Sequence, residues 1–234
     1  MSIWGKLGAA ELLVAGPIGA LLGQRAAIDV PDKKREPTEN DVAFTVGVIA
    51  LAAKMAKADG VVTKDEVKAF KTAFKVSDAE MKQAARAFNL AKQNVAGYED
   101  CAEQLVIVFK GNRKILEDVL EGLFHIAKAD AALHPHEEEF LGQVAKRFGL
   151  ADIEFDTIRA RHVAAGKRDP YEVLGLTPSA SDAELERHYR SLLAENRPDE
   201  LIARGVPAEF IAIANEKVAA FTEAFKAIAK QRGI

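Results

Sequence analysis

A chain of 234 residues is long for one typical domain and short for three, so two compact units and a tail are expected. Hydrophobic residues at 49% and charged residues at 29% exclude a disordered or fully membrane-embedded chain, and a formal charge of -3 argues against general attraction to nucleic acid or anionic lipid. The one cysteine, Cys101, excludes an intrachain disulfide and a cysteine-based zinc site, which fits a reducing compartment.

Residues 1–28 are a Gly-rich apolar segment. Its stretch 7–23, LGAAELLVAGPIGALLG, would span only about 25 Å as a helix against a hydrocarbon core of about 30 Å. Glu11 and Pro17 interrupt it, and a carboxylate near mid-bilayer costs about 2.5–3.5 kcal/mol, so a simple transmembrane helix is disfavoured. Membrane contact and self-packing through Gly16, Gly19 and Gly23 are its functional readings, beside that of a loosely ordered tail. Residues 29–40, DVPDKKREPTEN, read as a linker with two prolines and mixed charge.

Residues 41–163 carry runs of apolar residues at helical spacing, rich in Ala, Leu, Lys and Glu, without the alternation strands need. Helix starts are marked by Thr38-x-x-Asp41, Thr63-x-x-Glu66 and Ser77-x-x-Glu80, each of capping-box type. The block repeats itself: VIALAAKMAKADGVVTKDE from residue 48 aligns with VLEGLFHIAKADAALHPHE from residue 119. The repeat pairs Asp59 with Glu66 and Asp130 with Glu137, each pair spanning the end of one helix and the start of the next.

This segment resembles the TerB-like family of helical domains. The resemblance implies a divalent-metal site or an acidic docking surface built from Asp59, Glu66, Asp130 and Glu137, since hard cations take oxygen ligands. The structural alternative is that Glu66 simply caps a helix opened by Thr63. An EF-hand is excluded, because DGVVTKDE lacks the oxygen ligands and glycine that such a loop requires. His134 and His136, flanking Pro135, are expected at an exposed helix start, and His125 as a packed side chain. Ser77 is a cap, and nothing in the block pairs a nucleophile with a base.

Residues 164–168 form a hinge before the last unit, 169–234. Asp169 caps a short helix begun by Pro170 and ended by Gly175. Ser181-x-x-Glu184 opens a second helix with Leu185, Tyr189, Leu192 and Leu193 on one face. A third opens near Pro207, carrying Phe210, Ala214, Val218, Phe221, Phe225 and Ile228. A loop holding Arg197-Pro198-Asp199 joins the two.

The sequences DPYEVLGL and HYRSLLAENRPDE in this order resemble a J domain of the DnaJ family, and the whole arrangement resembles the DjlA-like J proteins, membrane-associated proteins of bacteria. The resemblance implies an all-α chain: a duplicated TerB-like helical bundle followed by a J-domain helical hairpin. It further implies docking on a DnaK-type chaperone through Arg187 and Arg190 of the second helix and through Arg197, Pro198 and Asp199, with stimulation of that partner's ATP hydrolysis. Two departures stand out. Arg197 occupies the place of the family's histidine, keeping a donor and a charge but losing the imidazole. The second helix also sets four carboxylates, Asp182, Glu184, Glu186 and Glu195, against two arginines, which weakens steering toward an acidic partner.

The leading expectation is therefore a J-type co-chaperone or adaptor, not an enzyme, whose TerB-like block targets or senses something else and brings a client to the chaperone. It is expected in the cytoplasm, with residues 7–23 as its candidate attachment to the inner membrane. No cofactor is required, a divalent metal being the one candidate. Competing readings are a silent J-like scaffold, in which Pro198 and Asp199 merely join two helices, and a metal-stress sensor built on the repeat.

Overall fold

The computed structural model describes residues 38–59, 81–93, 97–128, 133–163 and 167–234, with Lys68, Lys71 and Thr72. Every regular element among the described residues is helical, as the 3.6-residue periodicities require.

Helix α1, Glu39–Asp59, starts at the expected capping box: the Asp41 carboxylate accepts from the Thr38 N–H at 2.6 Å, and the Thr38 hydroxyl accepts from the Asp41 N–H at 3.3 Å. Every residue from Asp41 to Ala56 is buried, so this helix is the axis of the first core. Around it pack α2 (Met81–Gln93), α3 (Tyr98–Val108), α4 (Arg113–Ala127) and α5 (Pro135–Arg147), with α6 (Asp152–His162) laid over α4 and α5. Phe44, Ile49, Leu51, Leu105, Leu116, Leu120 and Phe124 fill the centre. Burying a side chain of this size contributes about 1.5–3 kcal/mol, so the bundle is held chiefly by its apolar contacts.

A second, smaller core forms where α7 (Pro170–Leu174), α8 (Asp182–Glu195) and α10 (Ile211–Arg232) meet. Val173, Leu174, Leu185, Phe221, Ala224 and Ile228 are buried there, and Tyr189 stacks on Phe225 with ring centroids 4.3 Å apart. Arg232 pins the end of α10 to the α7–α8 connection, donating to the carbonyls of Ala180 (2.7 Å) and Pro178 (2.9 Å) and to Asp182 (2.8 Å).

The two cores are joined by more than chain continuity. Between α8 and α10 the chain makes a short helix, α9 (Pro198–Ala203), and a single 3-10 turn, Ala208–Phe210. Leu201, Val206, Phe210, Ile213 and Ala214 from this stretch belong to the first core. Two glycines permit that approach. A Cβ at Gly122 of α4 would stand 2.8 Å from Cε1 of Phe210, while Gly205, at φ +99°, is held where a Cβ would meet Asn40 of α1 at 2.6 Å. In the other direction, α6 packs on α7 and contributes Ala160 to the second core.

Candidate functional site

Helix α8 is fixed by its ends. The Ser181 hydroxyl accepts from the Glu184 N–H at 3.3 Å while the Glu184 carboxylate accepts from the Ser181 N–H at 2.8 Å, closing the capping box. The Ser181 hydrogen bonds hold the Glu184 carboxyl below the usual carboxylate range. Leu185 is completely buried against α10, which turns Arg187 and Arg190 outward, and both are exposed. Arg190 is partly neutralised by a 2.8 Å pair with Glu186 one turn earlier.

At the C-terminal end of α8, Asn196 is buried, and both its side-chain amide (2.8 Å) and its backbone N–H (3.2 Å) donate to the Leu192 carbonyl, closing the last turn of the helix. The chain then turns outward. Arg197 is the N-cap of α9, with Pro198 and Asp199 as its first two residues. The guanidinium of Arg197 embraces the Asp199 carboxylate through Nε at 3.2 Å and Nη2 at 2.8 Å, both side chains being roughly two-thirds exposed. The sequence suggested a plain loop here; the three residues instead start a short helix, because proline is preset for its first position and a carboxylate suits its N-terminus.

The described part of α8, the Arg197-Pro198-Asp199 turn and α9 thus presents Arg187, Arg190, Arg197, Pro198 and Asp199 on exposed positions of one continuous segment. The flanks are anchored inward. Lys114 of α4 pairs with Glu195 at 2.9 Å, and Arg204 pairs with Asp118 of α4 at 2.8 Å.

Of the acidic set, the side chain of Asp59 and all of Glu66 and Asp130 lie outside the described residues, as do Thr63, Ser77 and residues 1–37. Glu137 is described: it is the buried third residue of α5, where its carboxylate accepts from the His134 N–H at 2.9 Å. Pro135 is the first residue of α5, with His134 and His136 exposed on either side. His125 is half-buried, 3.4 Å from Glu216. Among the described residues no three His, Cys, Asp or Glu side chains converge as a metal site would need. Among them, too, no helix is long and apolar enough to cross a membrane.

Asp118 and Glu121 went unremarked in the sequence, yet they anchor a charge cluster between the cores. Glu121 is buried and lies 2.8 Å from Arg161, 2.7 Å from His162 and 3.8 Å from Lys217. Burial alone would raise its pKa, but Arg161, Lys217 and His162 together hold the carboxyl well below the usual range. Burial pushes His162 below the usual imidazole range against the pull of Glu121. In its neutral form His162 donates from Nε2 to Glu121, and its ring stacks on Phe124 at 4.9 Å. The available signal was carboxylates one turn apart on a helix whose neighbours Ile115, Leu116, Val119 and Leu120 are all apolar.

The fold and this exposed turn define a helical-bundle domain followed by a J-like hairpin. Residues 45–160 match the family model of the tellurite resistance protein TerB. Over most of its length the chain is similar to proteins named co-chaperone protein DjlA. It is 28% identical over 221 residues to the co-chaperone protein DjlA of Photobacterium profundum, covering 83% of this chain and 80% of that one. It is 29% identical over 228 residues to the DjlA of Vibrio cholerae, covering 84% and 80%. With the DjlA of Coxiella burnetii it shares 25% over 255 residues, covering 95% and 94%. No solved structure matches the chain significantly.

Proposed function

We propose that this protein is a J-type co-chaperone or adaptor that docks on a DnaK-type chaperone through α8 and the Arg197-Pro198-Asp199 turn. The observation that carries the reading is the outward presentation of that turn at the end of α8, with Arg187 and Arg190 exposed on the same helix. The relatives' name, co-chaperone protein DjlA, supports the same class. Nothing in this role requires an enzyme: α8 and the turn act by contact, and ATP is hydrolysed by the partner. The TerB domain serves as the targeting or sensing module, with residues 7–23 as the segment that brings the protein to the membrane.

The Arg197–Asp199 fork favours one alternative, a silent J-like adaptor that binds without stimulating. It leaves the Asp199 carboxylate already occupied by an intramolecular partner, which a docking chaperone has to displace. Single-turnover ATP hydrolysis by the cognate chaperone, with the full chain added, separates the two. Stimulation that survives in the parent and is lost in Asp199→Asn identifies an active co-chaperone. Stimulation only by Arg197→His identifies a silent adaptor, and stimulation by none of the three removes the co-chaperone reading.

A further inference from the structure

We infer that Asp118 and Arg204 are positioning residues for the chaperone-facing turn, so that the TerB domain itself sets the geometry of the J-like domain's signature loop. The inference rests on the docking role proposed for that turn.

The geometry is a strut from α4 to α8. Asp118, on the buried face of α4, receives Arg204 Nε at 2.8 Å and Lys217 Nζ at 3.4 Å, all three side chains being largely hidden from solvent. The same guanidinium donates from Nη1 to the Glu195 carbonyl at 3.0 Å, in the last turn of α8 and two residues before Arg197. Beyond the turn, Leu201 is 1% and Val206 2% exposed, both within the first core. Residues 197–199 are therefore exposed while the backbone on both sides is clamped to the TerB bundle. A guanidinium suits this task because its rigid planar fork sets donors on separate nitrogens at fixed positions, whereas the three donors of a lysine radiate from one nitrogen on a flexible stem. Clamped flanks around an exposed recognition turn amount to preorganisation, which lowers the ordering cost of docking.

The test uses the full chain and the variants Asp118→Asn, Arg204→Met and Arg204→Lys, with Leu105→Ala as a comparison that loosens the TerB core away from the strut. Hydrogen exchange is read at the amides of Arg197, Leu201 and Val206, whose bonds to the Ala194, Arg197 and Leu201 carbonyls form the turn and α9. Asp118→Asn and Arg204→Met are expected to speed exchange at these amides about tenfold or more relative to α5, with Arg204→Lys between them and the parent. Leu105→Ala is expected to leave that ratio unchanged. Equal exchange in parent and variants, or an equal rise throughout the chain, overturns the inference whether or not the chaperone responds.

The chaperone readout then separates the two claims. Where the parent stimulates, the strut variants are expected to raise the half-saturating concentration about tenfold to a hundredfold at an unchanged maximal rate. An unaltered half-saturating concentration in Asp118→Asn would overturn the positioning role. A parent that neither binds nor stimulates removes the docking reading, and the exchange data still decide the strut.

Discussion

Phe210 lies edge-on against Phe44, ring centroids 4.8 Å apart at 71°, so a side chain from the J-like segment is part of the wall of the TerB core. Aromatic pairs in this arrangement add about 0.5–1.5 kcal/mol beyond the area they bury.

Phe210→Ala is accordingly expected to destabilise the whole chain by about 3–5 kcal/mol, the usual cost of emptying an aromatic site in a core. Urea unfolding followed by circular dichroism checks it. A loss confined to the J-like hairpin, with the TerB bundle unfolding at its original midpoint, would show that the two cores are energetically separate.

Gly122→Val tests the same contact from the other side. A Cβ there would already stand 2.8 Å from the Phe210 ring, so the added methyl groups have to displace Phe210 or α10. The expected cost is about 1–3 kcal/mol, and pairing the change with Phe210→Ala is expected to recover part of it, as a double-mutant cycle reports.

Glu121→Ala leaves Arg161 and Lys217 facing each other in the interior without their shared carboxylate. Breaking a buried ion pair from one side costs about 3–5 kcal/mol, because the remaining charge is stranded. Lys217 keeps Asp118, so the lower end of that range is expected, read as the shift in denaturation midpoint.

The same cluster makes stability depend on pH. His162 titrates lower in the folded chain than its ordinary 6.5, so the unfolded chain takes up that proton first. Stability is complete above about pH 6.5 and falls as the pH drops through and below it. The depressed Glu121 carboxyl adds a second loss below its ordinary value of 4.5. Thermal unfolding from pH 8 to pH 4 is expected to show both stages, and His162→Gln only the lower one. A melting temperature constant between pH 8 and pH 5 would contradict the assignment.

Cys101 is 1% exposed in α3, and burial pushes its thiol up to about 11. Because the thiolate is the reactive form, a thiol reagent at pH 8 is expected to label the native chain very slowly and the urea-unfolded chain at once. Rapid labelling of the folded protein would mean that α3 opens locally.

What the sequence determined by itself was local. Asp169, Ser181 with Glu184, and Thr38 with Asp41 cap helices where their spacing places them, because a capping bond joins residues two or three apart and needs nothing else. The apolar face of α8 and the all-α class were legible for the same reason, the helical period being written in consecutive residues. The Arg197-Pro198-Asp199 turn stood out in the sequence only through its resemblance to a known signature, and its arrangement as the start of a helix was not foreseen.

Tertiary structure decided the rest. Which helix receives Phe210, and that Asp118 holds Arg204 while Glu121 holds Arg161 and His162, are pairings across roughly 40 to 170 residues of chain. A carboxylate on the apolar face of α4 announces that a buried partner exists, since an unpaired charge there costs too much, but it does not name the partner. That identity is set by how two bundles fit together, a property of packed surfaces that no spacing along the chain records.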